Sequence, residues 1–150
     1  MKTMQKRFNM NNTEPEALKA MLVLEEYLAK TGISKTLKEL IKIRASQINR
    51  CAYCLDMHTK DALKHGETHQ RIFLLSAWKE ATEFFTEEEQ AALAMTEEIT
   101  LIHQNGLNEE TYQNAIKVFS KNQIAQLIMA IITINAWNRI AISTHLKVGE

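Results

Sequence analysis

The chain is 150 residues long, with 45% apolar and 24% charged side chains, and its 18 basic and 18 acidic residues cancel. That size suits a single domain spanning 1–150, able to bury roughly 70% of the surface it would expose unfolded. The even charge leaves no electrostatic footprint for nucleic acid and no polybasic block directed at a membrane surface.

In chain order, Met1 to Asn12 is polar and lacks the apolar core of a signal peptide, so a cytoplasmic protein is expected. Thr13-Glu14-Pro15-Glu16 has the pattern of a capping box with proline in the first turn, and opens a helix running to about Lys30. Ser34 can cap the next helix, whose apolar stripe is Leu37, Leu40, Ile41, Arg44/Ala45 and Ile48. A third starts near Asn49, carries Ala52, Leu55, Ala62 and Leu63, and closes at Gly66. A short helix follows over about Gln70 to Lys79. Thr86-Glu87-Glu88-Glu89 is a second capping box, opening a helix that stops before Gly106. Asn108 opens another, with Tyr112, Ala115, Ile116 and Phe119 at helical spacing. Ser120-Lys121-Asn122-Gln123 then caps a long helix to about Ser143. Within it lies the longest apolar run, residues 127–134, too short to span a bilayer. Its β-branched residues would suit a strand, but helical patterning continues on both sides with no Gly or Pro break. It reads as a helix buried on most faces, in the core or a subunit interface. The expected fold is all-α, a single-domain bundle of about six to seven helices.

The two cysteines, Cys51 and Cys54, are separated by two residues. A bridge across so short a loop constrains the unfolded chain very little, so the pair points to redox or metal chemistry and not to structural stapling. On a helical wheel Cys51, Cys54, His58, Asp61 and His65 fall within an arc of about 80°, beside the apolar stripe of Leu55, Ala62 and Leu63. Cys51 and Cys54 at i,i+3 can close a disulfide, and His58 is one turn beyond Cys54. A helix N-terminus and an adjacent imidazole both favour thiolate, the form that attacks peroxides and disulfides. Haem attachment would need histidine directly after the second cysteine, where Leu55 stands. Zinc on Cys51, Cys54 and His58 is disfavoured, because one helical face cannot readily surround a tetrahedral ion and no second pair follows. No metal and no cofactor is therefore expected. His69, His103 and His145 read as helix-end residues, His65 as a bystander on the arc, and Trp137, Asn138 and Arg139 as core or interface packing. Tyr53 points about 100° or more from both sulfurs on the same wheel.

The pattern E-x11-C-x2-C-x3-H formed by Glu39, Cys51, Cys54 and His58 closely resembles the alkylhydroperoxidase D-like (AhpD-like) group of the carboxymuconolactone decarboxylase superfamily. The resemblance is specific over residues 34–66 and weaker over 134–139. It implies an all-helical fold assembled as trimers or hexamers, and peroxide reduction through a Cys-x-x-Cys disulfide with a Glu–Cys–His proton relay. Carried over, Cys54 is the peroxide-attacking sulfur, Cys51 the proton donor and resolving partner, and His58 and Glu39 the relay. The best-known family pattern has histidine immediately before the second cysteine, where this chain has Tyr53. Read without the resemblance, Glu39 is a solvated residue between Lys35 and Lys42, opposite the apolar stripe of its helix.

Position alone gives Cys51 the stronger helix-terminus effect, about 0.3–1 kcal/mol. A base one turn from Cys54 is worth roughly 100-fold or more in rate, which selects Cys54 as the sulfur that becomes sulfenic acid. The function expected is a thiol-dependent peroxidase taking a hydroperoxide substrate, recycled by a dithiol or disulfide partner protein. The alternatives are a carboxymuconolactone decarboxylase-like lyase, against which the cysteine pair argues, and a non-catalytic redox-sensing oligomer. The apolar long helix and the resemblance together suggest a homo-trimer or homo-hexamer.

Overall fold

A computed structural model describes residues 4–149, and among these residues it contains nine α-helices, two short 3-10 segments and no strand. The helices are α1 (Met10–Thr13), α2 (Pro15–Ala29), α3 (Lys35–Asn49), α4 (Ala52–Lys64), α5 (His69–Leu74), α6 (Glu87–Thr100), α7 (Ile102–Asn105), α8 (Glu109–Val118) and α9 (Lys121–Thr144). Setting aside the single turns α1 and α7, seven helices remain, as the hydrophobic periodicity predicts.

Local chemistry sets most of the boundaries. Two reciprocal capping boxes form as their sequences require: the Thr86 hydroxyl accepts from the Glu89 N–H while Glu89 accepts from the Thr86 N–H, and Ser120 and Gln123 do the same. The box expected at Thr13 does not form. Asn9 caps the extra turn α1, which absorbs Thr13, and α2 opens on Pro15 with no side-chain cap. Nor does α4 begin near Asn49. Asn49 is the last residue of α3, and Arg50 closes that helix in the left-handed region at φ 57°, ψ 42°. This conformation, uncommon outside glycine, turns the chain so that Cys51 caps α4.

The centre of the bundle is α3, packed against α4, α6 and α9. Ile41, Ala45, Ala92, Met95, Leu127 and Ile131 form the main core, while Leu40, Ile43, Leu75, Trp78 and Leu93 form a second on the side of α4 and the 3-10 segment Leu75–Glu80. By length and composition alone α9 could cross a bilayer. Here its Ile124, Leu127, Ile131 and Ile134 pack into the main core. The opposite side is less covered than the pattern suggests: Ile132 is 45% exposed and Ile142 is also exposed.

Polar residues interrupt the junction of α3 and α9. Asn138 is fully buried and donates to the Ser46 hydroxyl at 2.9 Å, while its carbonyl accepts from the Asn49 amide at 2.9 Å. The same Asn49 amide reaches Asn135, whose own amide donates to Thr100 on α6. Every partner is satisfied, so this buried network fixes the register of α9 against the end of α3 where the cysteine loop begins. Periodicity marks Asn138 only as packing; its role as a hydrogen-bonding strut is a tertiary fact.

Candidate functional site

Cys51 is not inside α4 but is its N-cap. Its backbone is extended (φ −88°, ψ 97°), its sulfur accepts from the Cys54 N–H at 3.3 Å, and its own N–H donates to the Ser46 carbonyl at 3.0 Å. A disulfide joins Cys51 to Cys54, whose Cα atoms are 5.3 Å apart. Both are removed from solvent, at 1% and 3% exposure, and pack against Ala141 of α9 with Tyr53 and Leu146 alongside.

His58 lies one turn past Cys54 on α4, and its Nδ1 meets the Oε2 of Glu39 at 3.1 Å. The other oxygen of Glu39 accepts from the Lys42 ammonium at 3.2 Å. Glu39 is only 6% exposed, contrary to its reading as a solvated residue. The physical reason is that the face of α3 opposite its main stripe is covered by α4, so a helix wrapped on several sides has no solvent face there. Ile43 and Ser46, also on that face, are likewise buried. Burial favours the protonated form of Glu39, but the hydrogen bond from His58 and the charge of Lys42 outweigh it and hold the carboxyl below its ordinary value. An ionised Glu39 takes the Nδ1–H of His58, which leaves Nε2 as the ring nitrogen able to act as a base.

Cys54 and His58 share the wall of a cavity of about 430 Å³. Leu18 of α2, Tyr53 and Met57 of α4, and Trp137, Ile140 and Ala141 of α9 give it an apolar interior. Lys42, Glu25 and Asp61 contribute charge, and Trp137 donates its indole N–H to Glu25 at 2.8 Å. Residues 9–11 of the N-terminal arm also line it. The arm is tied to the end of α9: the Arg7 N–H and guanidinium donate to the carbonyls of Thr144 and Ser143, each at 3.0 Å, and His145 donates to the Gln5 carbonyl at 3.1 Å.

Of the residues singled out from sequence, the structure brings Cys51, Cys54, His58 and Glu39 together. Asp61 joins Cys54 and His58 on the cavity wall, whereas His65 ends α4, His69 opens α5 and His103 lies in α7. Tyr53 packs against the cluster of Cys51, Cys54 and Ala141 and lines the cavity. Cys51, which the wheel treats as helical, is an extended cap whose sulfur accepts from the Cys54 N–H. Lys42 and the N-terminal arm carry no sequence signal for this site beyond the spacing of Lys42 from Glu39. No group of three or more His, Cys, Asp or Glu residues able to hold a metal occurs among the described residues.

The sequence profile of the Carboxymuconolactone decarboxylase family matches residues 15–98. The chain belongs to this family, in its AhpD-like group. As a member of the family it is 44% identical over 140 residues to the uncharacterized protein YdfG of Bacillus subtilis (strain 168), covering 93% of this chain and 95% of that protein. A solved protein of unknown function from Agrobacterium tumefaciens, described as a candidate antioxidant defence protein AhpD, superposes with a TM-score of 0.93 at 36% identity, over 97% of this chain and 99% of the other. An uncharacterized peroxidase-related protein from Ralstonia eutropha JMP134 with an alkylhydroperoxidase AhpD core shares the fold at a TM-score of 0.81 and 14% identity, over 94% and 75% of the two chains.

Proposed function

We propose that the chain is a thiol-dependent peroxidase that reduces organic hydroperoxides through the Cys51–Cys54 pair. The observation that carries this reading is the convergence on one cavity wall of Cys54 and of His58, whose Nδ1 is fixed by the buried Glu39. In the reduced protein, His58 Nε2 takes the proton of Cys54. The thiolate attacks the terminal oxygen of the hydroperoxide, the O–O bond breaks, and Cys54 becomes a sulfenic acid. The Cys51 thiol then attacks that sulfur, water leaves, and the disulfide present in the structure results. A dithiol donor resets the pair. An apolar cavity of about 430 Å³ lies in the range that holds small organic ligands, which supports a hydroperoxide with a carbon body over hydrogen peroxide. The test is consumption of an organic hydroperoxide with a dithiol donor, with Cys54→Ser as the control. Turnover by the wild type and none by the variant is the expected result; equal rates sink the reading.

The burial of both sulfurs favours a second reading, a redox sensor whose disulfide alters packing. Stoichiometric oxidation without turnover would select it. We also propose assembly as a homo-trimer or homo-hexamer. Exposed Leu22, Val23 and Tyr27 on α2 and Ile132 and Ile142 on α9 support this. Light scattering should give a multiple of three times 17.2 kDa, and a monomer at micromolar concentration would refute it.

A further inference from the structure

Breaking the O–O bond of an alkyl hydroperoxide leaves an alkoxide, a strong base that needs a proton as it departs. In this cavity several hydrogen-bond donors are engaged. The Nδ1–H of His58 and one N–H of the Lys42 ammonium are held by the two oxygens of Glu39, the Trp137 indole N–H by Glu25, and the Thr144 hydroxyl by the Ile140 carbonyl at 2.8 Å. His58 Nε2 is the base that serves Cys54. Asn9 and Asn11 line the cavity from the arm, but a neutral carboxamide donates hydrogen bonds without giving up a proton. Tyr53 is different. It adjoins Cys54 in the chain, packs against the sulfur cluster, lines the cavity, and its hydroxyl has no hydrogen-bond partner among the described residues.

We propose that the Tyr53 hydroxyl is the proton donor to the leaving alkoxide, a catalytic role that rests on the peroxidase reading above. The Cys54 thiolate bonds to the terminal oxygen, which keeps its hydrogen and becomes the sulfenic acid. The electron pair of the O–O bond goes to the alkyl-bearing oxygen, and the Tyr53 O–H supplies the proton that makes the alcohol. A phenol is a far stronger acid than an alcohol, so the transfer runs downhill. The imidazolium formed when His58 took the Cys54 proton then reprotonates the phenolate. The sum is one thiol and one hydroperoxide giving one sulfenic acid and one alcohol.

A leaving group that needs no proton separates this role from a packing role. The experiment follows single-turnover oxidation of the reduced full-length protein by tert-butyl hydroperoxide, whose leaving group is an alkoxide, and by peracetic acid, whose leaving group is acetate. Tyr53→Phe is compared with wild type, and the iodoacetamide alkylation rate of Cys54 is measured in both. The proposal expects Tyr53→Phe to lose about 100-fold with the alkyl hydroperoxide, less than about 3-fold with the peracid, and less than about 2-fold in alkylation. Equal losses on both oxidants, or a matching fall in alkylation, would overturn the role of Tyr53 and leave the peroxidase reading intact. Wild-type thiols oxidised by tert-butyl hydroperoxide no faster than a free thiol would overturn the peroxidase reading itself, and the proposal with it.

Discussion

Glu39 on α3 and Glu97 on α6 are both acids nearly withdrawn from solvent, with side-chain exposures of 8% and 14%. In both, burial favours the neutral form and is outweighed by neighbours, so both carboxyls lie below their ordinary value. Their partners differ in kind. Glu97 is held by the Lys79 ammonium at 2.7 Å, the Trp78 indole N–H at 2.9 Å and the Arg44 guanidinium at 2.9 Å. These are an ammonium, an indole and a guanidinium, groups that only donate, and no cysteine lies in the cavity that Glu97 and Lys79 line. Glu39 divides its two oxygens between one fixed cation and one imidazole, beside a disulfide and an apolar cavity. A depressed carboxylate pKa is common to a structural clamp and a candidate relay. What separates them is whether a neighbour can exchange a proton with something in a cavity.

The largest expected effect comes from Cys54→Ser, which should abolish peroxide turnover while leaving the Glu39–His58 pair in place. Retained turnover would place the chemistry elsewhere. Glu39→Gln should slow Cys54 alkylation and peroxide reduction by about 100-fold near neutral pH, because a neutral amide no longer fixes the imidazole as an ionised carboxylate does. A loss below about 3-fold would make Glu39 a clamp like Glu97. Glu97→Gln tests the other half of the comparison. It should lower stability by about 3 kcal/mol, since three donors around a buried acid lose its charge, and should leave Cys54 alkylation unchanged. Denaturant melts alongside alkylation rates check both statements.

The pH dependence follows from the directions of the shifts. A carboxyl held below its unfolded value, near 4.5, contributes stability that is fully present above that pH and is lost as pH falls through its folded value. Both acids therefore favour the folded state at neutral pH and weaken it below about 4.5. The difference between wild type and Glu97→Gln should shrink on acidification. The smallest effect belongs to Lys42→Met. With the ammonium gone, Glu39 should titrate at a higher pH, and Lys42→Arg should restore it. The Glu39 side-chain carboxyl resonance followed by NMR titration reads this directly, and no movement would show that Lys42 is a bystander to the pair.

What the amino-acid order determined by itself was everything decided within about one helical turn. Capping at Thr86, Asn108 and Ser120 depends on side chains reaching N–H groups three residues on, and those helices start where the sequence says. The nearness of Cys51 to Cys54, and the place of His58 one turn later, are equally local. The competing one-turn helix at Asn9 and the left-handed Arg50 were not legible, because each depends on which of two adjacent local solutions the packed chain adopts. The burial of Glu39, the strut through Asn138, the packing of Tyr53 beside Ala141 and the cysteines, and the cavity beneath the N-terminal arm were decided only by tertiary structure. A helix sequence records one apolar stripe, whereas α3 is covered by α4, α6 and α9 together. Which of its polar residues are then sealed in depends on neighbours far away in the chain, so a residue that looks solvated in sequence becomes the buried partner of an imidazole nineteen positions later.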